Sequence, residues 1–250
     1  MTDNVDLTIF VPAYNEENLI VPTLETIRDA ASAFGFTYQV LVYNDASTDR
    51  TGERVGDYLR EHHLEGQFEL VNNEVNRGVG MNYLSAAERG RGEYFIMLCG
   101  DNAEPVDAMR SIFNLMGKAD VIIPYVDTRL FDLRYNTDHR PFMRRLISLA
   151  FASLVRTISG HSIRYFNSCV LHKRANVLNY ATPTSGYGYQ AELLCEVLND
   201  PKKTYLEVKF ANRDRAEGKA KAFRLKNIVS VAGSLGRIFR RRLARYRRPA

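Results

Sequence analysis

Tyr94-Phe-Ile-Met-Leu-Cys99 is an unbroken apolar run of strand length, and Gly100-Asp-Asn-Ala-Glu-Pro105 follows it at once. A run without polar alternation marks a strand covered on both faces, the habit of parallel sheets flanked by helices. Outward from it the same grammar repeats. Leu7-Thr-Ile-Phe-Val11 reads as a buried strand ended by Pro12, and Leu19, Leu24 and Ile27 then recur at helical spacing, with Asn15 as the expected N-cap. Tyr38-Gln-Val-Leu-Val-Tyr43 is a second strand, closed by the polar loop Asn44-Asp-Ala-Ser-Thr-Asp-Arg-Thr51 and followed by a helix through Val55 and Leu59. Phe68-Glu-Leu-Val71 is a third, and Asn76-Arg-Gly-Val-Gly80 leads from it into a helix around Met81 to Arg89. A helix after Pro105 is expected to reach about Lys118, and Asp120-Val-Ile-Ile-Pro124 closes the series. Four strand–helix units with short connections predict an α/β fold with a parallel, doubly wound sheet.

The second half is less regular. Residues 125–141 are polar and loop-like, and Phe142 to Ile158 is an apolar helix carrying Arg144, Arg145 and Arg156. Arg164 to His172 reads as a strand, Gln190 to Leu198 as a helix and Thr204 to Phe210 as a strand, with a basic helix from near Phe223. Composition agrees with a globular chain: 250 residues, 45% hydrophobic and 25% charged, exclude disorder or a fibrous repeat as the main state. The three cysteines, Cys99, Cys169 and Cys195, form no CxxC pair, which excludes a zinc ribbon or disulfide scaffold and suits a reducing compartment. No basic segment precedes an apolar one at the N-terminus, so no secretory signal is expected. The uncharged runs Leu146–Val155 and Asn227–Gly236 are ten residues each, short of the ~20 that a crossing helix needs.

In an open α/β sheet, ligands bind beyond the carboxyl ends of the strands. The residues leaving the strands here are Pro12-Ala-Tyr-Asn-Glu16, Asn44-Asp45, Asn76-Arg77-Gly78 and Gly100-Asp101-Asn102, and three of the four exits carry an acid. The nucleophile elbow and the P-loop are absent, and no GxGxxG follows the first strand. Acidic exits suit a different chemistry. A carboxylate can hold a divalent cation that neutralises a diphosphate, or accept hydrogen bonds from a base or ribose.

Val11-Pro-Ala-Tyr-Asn-Glu16, Leu41-Val-Tyr-Asn-Asp-Ala-Ser-Thr-Asp-Arg-Thr51, Asn76-Arg-Gly-Val-Gly80 and Leu98-Cys-Gly-Asp101 resemble, in order and spacing, successive motifs of family 2 glycosyltransferases. Arg215-Ala-Glu-Gly-Lys-Ala-Lys221 and Phe223-Arg-Leu-Lys-Asn227 resemble the region after the core in the polyprenyl-phosphate, dolichol-phosphate-mannose-synthase-like branch. The resemblance implies a GT-A fold, a Rossmann-like mostly parallel sheet flanked by helices, over residues 1–222. It also implies a nucleotide-diphosphate-sugar donor, Mg²⁺ or Mn²⁺, and inversion at the anomeric carbon. Pro12, Ala13, Tyr14 and Glu16 would line the nucleoside pocket, Asp45 would contact the base, and Gly100 would belong to the same donor-binding set. Asp101 takes the place of the second acid of the DxD motif, which binds the metal, and Arg215 and Lys221 match the basic residues that close over the diphosphate or the acceptor phosphate.

Two positions depart from the family pattern: Asn44-Asp45 stands where Asp-Asp is usual, and Cys99 holds the place of the first acid of DxD. A thiolate suits Mg²⁺ poorly. Asp101 is left with Asn102 or Glu104 as helpers, and a weakly held cation is expected. The acceptor decides the mechanism. A sugar hydroxyl needs a general base, for which Asp127, Asp132, Asp138 and Glu192 are the candidates, with Glu192 at the start of a helix suited to facing the site. A polyprenyl phosphate is already ionised and needs only positioning by cationic groups. Transfer to a hydroxyl of a growing glycan, or a catalytically weak sugar-nucleotide binder, are the competing readings. Asp101 would also serve as a helix cap, and Arg215 and Lys221 as a solvated face.

The net charge of +5 is uneven: residues 218–250 hold eleven Lys/Arg and no acid, leaving −6 on the rest. On a helical wheel Ile228, Val231, Leu235, Ile238, Phe239, Leu243 and Tyr246 make one apolar stripe, with Arg237, Arg240, Arg241 and Arg248 opposite. Residues 223–250 therefore read as a basic amphipathic helix lying on an anionic membrane surface, the enzyme being peripheral on the cytoplasmic face. Few aromatics for stacking and an acidic body argue against nucleic acid. Packing of this helix on the domain is the plainer alternative.

Overall fold

A computed structural model of the chain describes residues 5–128, 141–182, 188–210 and 225–246. Its first half is the expected series, with α4 ending at Phe113 rather than near Lys118: β1 (Val5–Ala13), α1 (Ile20–Ser32), β2 (Tyr38–Asn44), α2 (Thr51–Glu61), β3 (Phe68–Asn72), α3 (Val79–Arg89), β4 (Gly92–Met97), α4 (Val106–Phe113) and β5 (Val121–Val126). Then come α5 (Phe142–Ser159), β6 (Leu171–Lys173), α6 (Arg174–Tyr180), α7 (Tyr189–Leu198), β7 (Tyr205–Phe210) and α8 (Leu225–Tyr246). The sheet runs β3-β2-β1-β4-β6-β5-β7. β1 pairs in parallel with β2 and β4, β2 with β3, and β5 with β7. Among the described residues, only β6 runs against its neighbours, β4 and β5. The sheet is thus mostly parallel rather than wholly so.

Alternation along β1 divides the core. Leu7, Ile9 and Val11 face one side with Val40, Val42, Ile96 and Leu98, covered by α1, α2 and α4. Phe10 faces the other with Leu41, Tyr43, Phe95 and Met97, covered by α3, α5 and α7 and reached by Ile238 of α8. Each such side chain taken fully from water contributes about 1.5–3 kcal/mol, which is why these strands carry no polar face.

Three expectations are corrected. The strand over Arg164–His172 shrinks to Leu171–Lys173, because the chain turns just before it, with Val170 N–H donating to the Ser168 carbonyl at 2.8 Å. The seven-residue α6 was missed, being too short to show a helical period. Asn15 does not cap α1: Leu19 occupies the N-cap, while Asn15 has φ 56° and its Oδ1 accepts the Thr48 N–H at 2.8 Å. Among the described residues, no helix is long and apolar enough to cross a membrane.

Candidate functional site

The parallel register sets the strand ends side by side: Ala13 of β1 lies opposite Asn44 of β2, and Phe10 opposite Met97 of β4. The β1 and β2 exits are stitched together. Asn15 N–H donates to Ser47 Oγ at 3.0 Å, Glu16 N–H to Thr51 Oγ1 at 2.8 Å, and Arg50 N–H to Glu17 Oε2 at 3.0 Å. The Glu16 carbonyl accepts the Leu19 and Ile20 amides at 3.0 and 2.9 Å, opening α1. Pro12, Ala13, Tyr14 and Glu16 are therefore brought together on one rigid ledge, Ala13 buried and the others half-buried.

Asp45 is placed on this ledge but turned inward, only 5% exposed. Its carboxylate accepts from Arg77 N–H and Gly78 N–H, both at 2.9 Å, and from Asn73 Nδ2 at 2.8 Å. Asn76 Nδ2 donates to its carbonyl at 3.1 Å. Asp45 thus clamps the 73–78 loop with both carboxylate oxygens engaged, Oδ1 by two donors and Oδ2 by one, so a contact with a base would have to share these oxygens. Asp45→Ala would strand two backbone amides and an Asn, so we expect a stability loss of about 2–4 kcal/mol alongside weaker nucleoside-diphosphate binding. Melting and calorimetric titration check this; weakened binding at unchanged Tm would instead mark a direct contact.

At the β4 exit the ladder continues past Met97: Leu98 N–H donates to the Phe10 carbonyl at 2.9 Å and Gly100 N–H to the Pro12 carbonyl at 3.2 Å. A Cβ on Gly100 would come within 2.9 Å of that Pro12 oxygen, so only glycine lets the exit lie this close to β1. Asp101 follows, half-buried, beside the Pro12–Glu16 ledge. Asn102 turns away, φ 52°, its Oδ1 accepting from Thr26 Oγ1 at 3.0 Å. Glu104 returns beneath the exit, where burial, with the Asp101 charge second, pushes its pKa up to about 8. Its Oε2 is buried without a hydrogen-bond partner.

These residues fit a divalent cation: Asp101 is a hard oxygen donor at the strand exit, and the orphaned buried oxygen of Glu104 would become a second one where a cation displaces its proton. Among the described residues no group of three His, Cys, Asp or Glu side chains converges. Glu104 also gives a pH signature. Its raised pKa means that the native state holds a proton the unfolded chain releases, so the stability it contributes is full below the unfolded value near 4.5 and is lost as pH rises towards about 8. Glu104→Gln should therefore melt higher than wild type at pH 8 and alike at pH 4.5, the gap amounting to about 1–3 kcal/mol. Parallel melting curves at both pH values would overturn this placement of Glu104.

Glu192, the candidate base, is not offered to the cleft. Its side chain is 2% exposed and its two oxygens accept from Arg237 of α8: Nε lies 2.9 and 3.0 Å from them, and Nη2 2.9 Å from Oε2. Arg241 Nη1 stands 3.4 Å from Glu192 and 3.2 Å from Glu196. The wheel could not foresee this, since pairing with a distant acid turns Arg237 and Arg241 inward. Asp127 pairs with Lys209 at 3.1 Å. Arg215, Lys221, Asp132 and Asp138, with the 222/223 boundary, lie outside the described residues. Sequence reasoning missed Asn73, Thr51 and Arg237. Asn73 carried a signal as a polar residue at the β3 exit, and Thr51 as the polar first residue of α2; Arg237 carried none.

The chain is similar to dolichyl-phosphate beta-glucosyltransferases. That of Trichomonas vaginalis is 29% identical over 168 residues, 63% of this chain and 48% of the relative. That of Dictyostelium discoideum is 25% identical over 175 residues, 65% and 52% respectively. The chain thus spans about half the length of these relatives. Among solved structures, glucosyl-3-phosphoglycerate synthase from Mycobacterium tuberculosis in complex with Mn²⁺, UDP and phosphoglyceric acid matches 95% of this chain and 78% of its own, with TM-score 0.64 and 15% identity. TarS 1–349 of S. aureus matches 84% and 59%, with TM-score 0.55 and 14% identity. These likenesses bear out the GT-A fold. The family model for glycosyl transferase family 2 matches residues 8–176, well over half of the sequence, and the chain belongs to that family.

Proposed function

We propose that this chain moves a sugar from a nucleotide-diphosphate-sugar donor to a polyprenyl phosphate. The observation that carries the reading is the Glu192–Arg237 pair: among the described residues both candidate bases face a cation, Glu192 that of Arg237 and Asp127 that of Lys209, and an ionised phosphate acceptor is the nucleophile that needs no base. Similarity to dolichyl-phosphate beta-glucosyltransferases supports the same acceptor class.

The ledge of Pro12, Ala13, Tyr14 and Glu16 would seat the nucleoside, against the 73–78 loop that Asp45 holds in place. Asp101 and Glu104 would hold a Mg²⁺ or Mn²⁺ ion, which when bound supplies positive charge to the leaving diphosphate. Asp101 orients the donor so that its anomeric carbon faces the acceptor, and Gly100 keeps that carboxylate against β1. Arg215 and Lys221 are proposed to hold the two anionic partners together. The phosphate oxygen attacks the anomeric carbon, the bond to the donor's diphosphate breaks, and a nucleoside diphosphate leaves with inversion.

Purified chain incubated with radiolabelled nucleotide sugars and a polyprenyl phosphate, UDP-glucose first, should give a butanol-extractable labelled product. Label found only on a water-soluble glycan, or donor binding without transfer, would overturn the reading.

A further inference from the structure

α8 does not present its arginines as the wheel suggested. Arg237 and Arg241 are committed to Glu192 and Glu196, and Arg242 donates to the Thr157 carbonyl of α5 at 2.6 Å. Ser234 packs so close to Gly188 that a Cβ there would meet its Oγ at 2.5 Å. This helix is bound to the domain by one face. Its outward face carries Phe239 and Leu243, 48% and 42% exposed, with Arg240 between them.

α5 has the stronger outward face. Of the eleven large apolar side chains exposed among the described residues, five lie on α5 and two on α8. Met143, Leu146, Ile147 and Leu154 recur at helical spacing over the solvent side, while Ala152 and Val155 serve the core on the other. Leu154 lies one turn before Thr157, where Arg242 ties α5 to α8, so the two helices that carry these exposed residues are packed neighbours. Water is a poor neighbour for such a ridge, and a contiguous exposed apolar face marks an interaction surface.

We propose that the outward ridge of α5, extended by Phe239 and Leu243 of α8, is the surface on which this protein rests on an anionic lipid bilayer. Charge selects that occupant. Residues 142–159 contain three arginines and no acid, and Arg240 is exposed between Phe239 and Leu243 on α8, in a segment, 218–250, that has no acid and of whose eleven cations Arg237, Arg241 and Arg242 turn to the domain. An apolar ridge bordered by arginines and lacking acids matches an interface with acyl chains below and anionic headgroups around it. At 1.5 Å per residue, the 18-residue α5 lies about 27 Å along the plane. The inference deepens the reading of a lipid acceptor, whose phosphate sits at headgroup level.

The test is co-sedimentation of the full chain with phosphatidylcholine vesicles, with and without phosphatidylglycerol, in the absence of donor and acceptor. Wild type should bind the anionic vesicles at low salt. Ile147→Ser combined with Leu154→Ser should lower the partition coefficient by at least about tenfold with only a small fall in Tm, since the two residues are 43% and 48% exposed and lie outside the buried core. Arg240→Gln should reduce only the salt-sensitive part. Vesicle binding unchanged in the double variant would overturn the proposal, as would a wild-type dimer that the double variant dissociates, which would make a second copy the occupant. Because no sugar transfer is read, failure here leaves the acceptor assignment standing, and failure of transfer to polyprenyl phosphate leaves the vesicle result standing.

Discussion

Asp101→Ala is expected to lower sugar transfer by about a hundred- to a thousandfold while leaving the fold intact. The carboxylate stands at the end of the β4 ladder, where Gly100 N–H still bonds the Pro12 carbonyl, and it belongs to neither apolar cluster. Its loss therefore removes little packing. What disappears is negative charge at the point where a diphosphate and its cation would be held. Asp101→Asn separates charge from shape: it should lose nearly as much turnover as the alanine, with an unchanged far-UV spectrum and no loss of Tm. Titration of Mn²⁺ in the presence of nucleoside diphosphate should show weakened cation binding in both. A variant that keeps most of the wild-type turnover would sink the assignment. Cys99→Asp works in the opposite sense. It places a hard oxygen donor at a half-buried exit where a thiol now stands, and should lower the cation concentration needed for half-maximal activity.

The fold was legible where one physical rule acted alone. Continuous apolar runs bounded by turn residues, such as Tyr94–Cys99 over β4 (Gly92–Met97), read as strands buried on both faces, and strand order then places Asp45 and Asp101 at one edge. Legibility failed where structure depends on partners remote in sequence. β6 is three residues long and exists because β4 and β5 flank it. Asp45 has the composition of a ligand contact, yet its orientation is set by amides at Arg77 and Gly78, thirty-two and thirty-three residues away. Glu104 stood in the sequence as one helper of two; burial beside Asp101 distinguishes it from Asn102, which α1 claims through Thr26. A helical wheel sorts residues by angle, and it assigned α8 an arginine face for solvent because Glu192 lies outside its view.

Arg237→Met is expected to destabilise the protein by about 2–3 kcal/mol, even though it removes a residue that the sequence places on a solvated face. Glu192 is 2% exposed, and without Arg237 it would keep only Arg241, 3.4 Å away, against the cost of a buried charge. For a chain of this size that is roughly 4–12 °C in Tm. The effect should extend beyond α8. α7 starts beside Gly188, on which Ser234 of α8 packs, and its Tyr189 hydroxyl donates to Met97 Sδ of β4 at 3.0 Å, just before the exit that carries Asp101. Loosening α8 therefore loosens the support of that exit. Comparison with Glu192→Gln divides the two roles proposed for this carboxylate. If Glu192 fastens α8, both variants melt early and a double Glu192→Leu, Arg237→Met variant recovers much of the loss, because neither charge is then left buried alone. If Glu192 is instead a general base, Glu192→Gln would lower kcat at unchanged Tm, and Arg237→Met, which leaves the carboxylate in place, would not lower kcat. The second pattern would return a hydroxyl acceptor to first place.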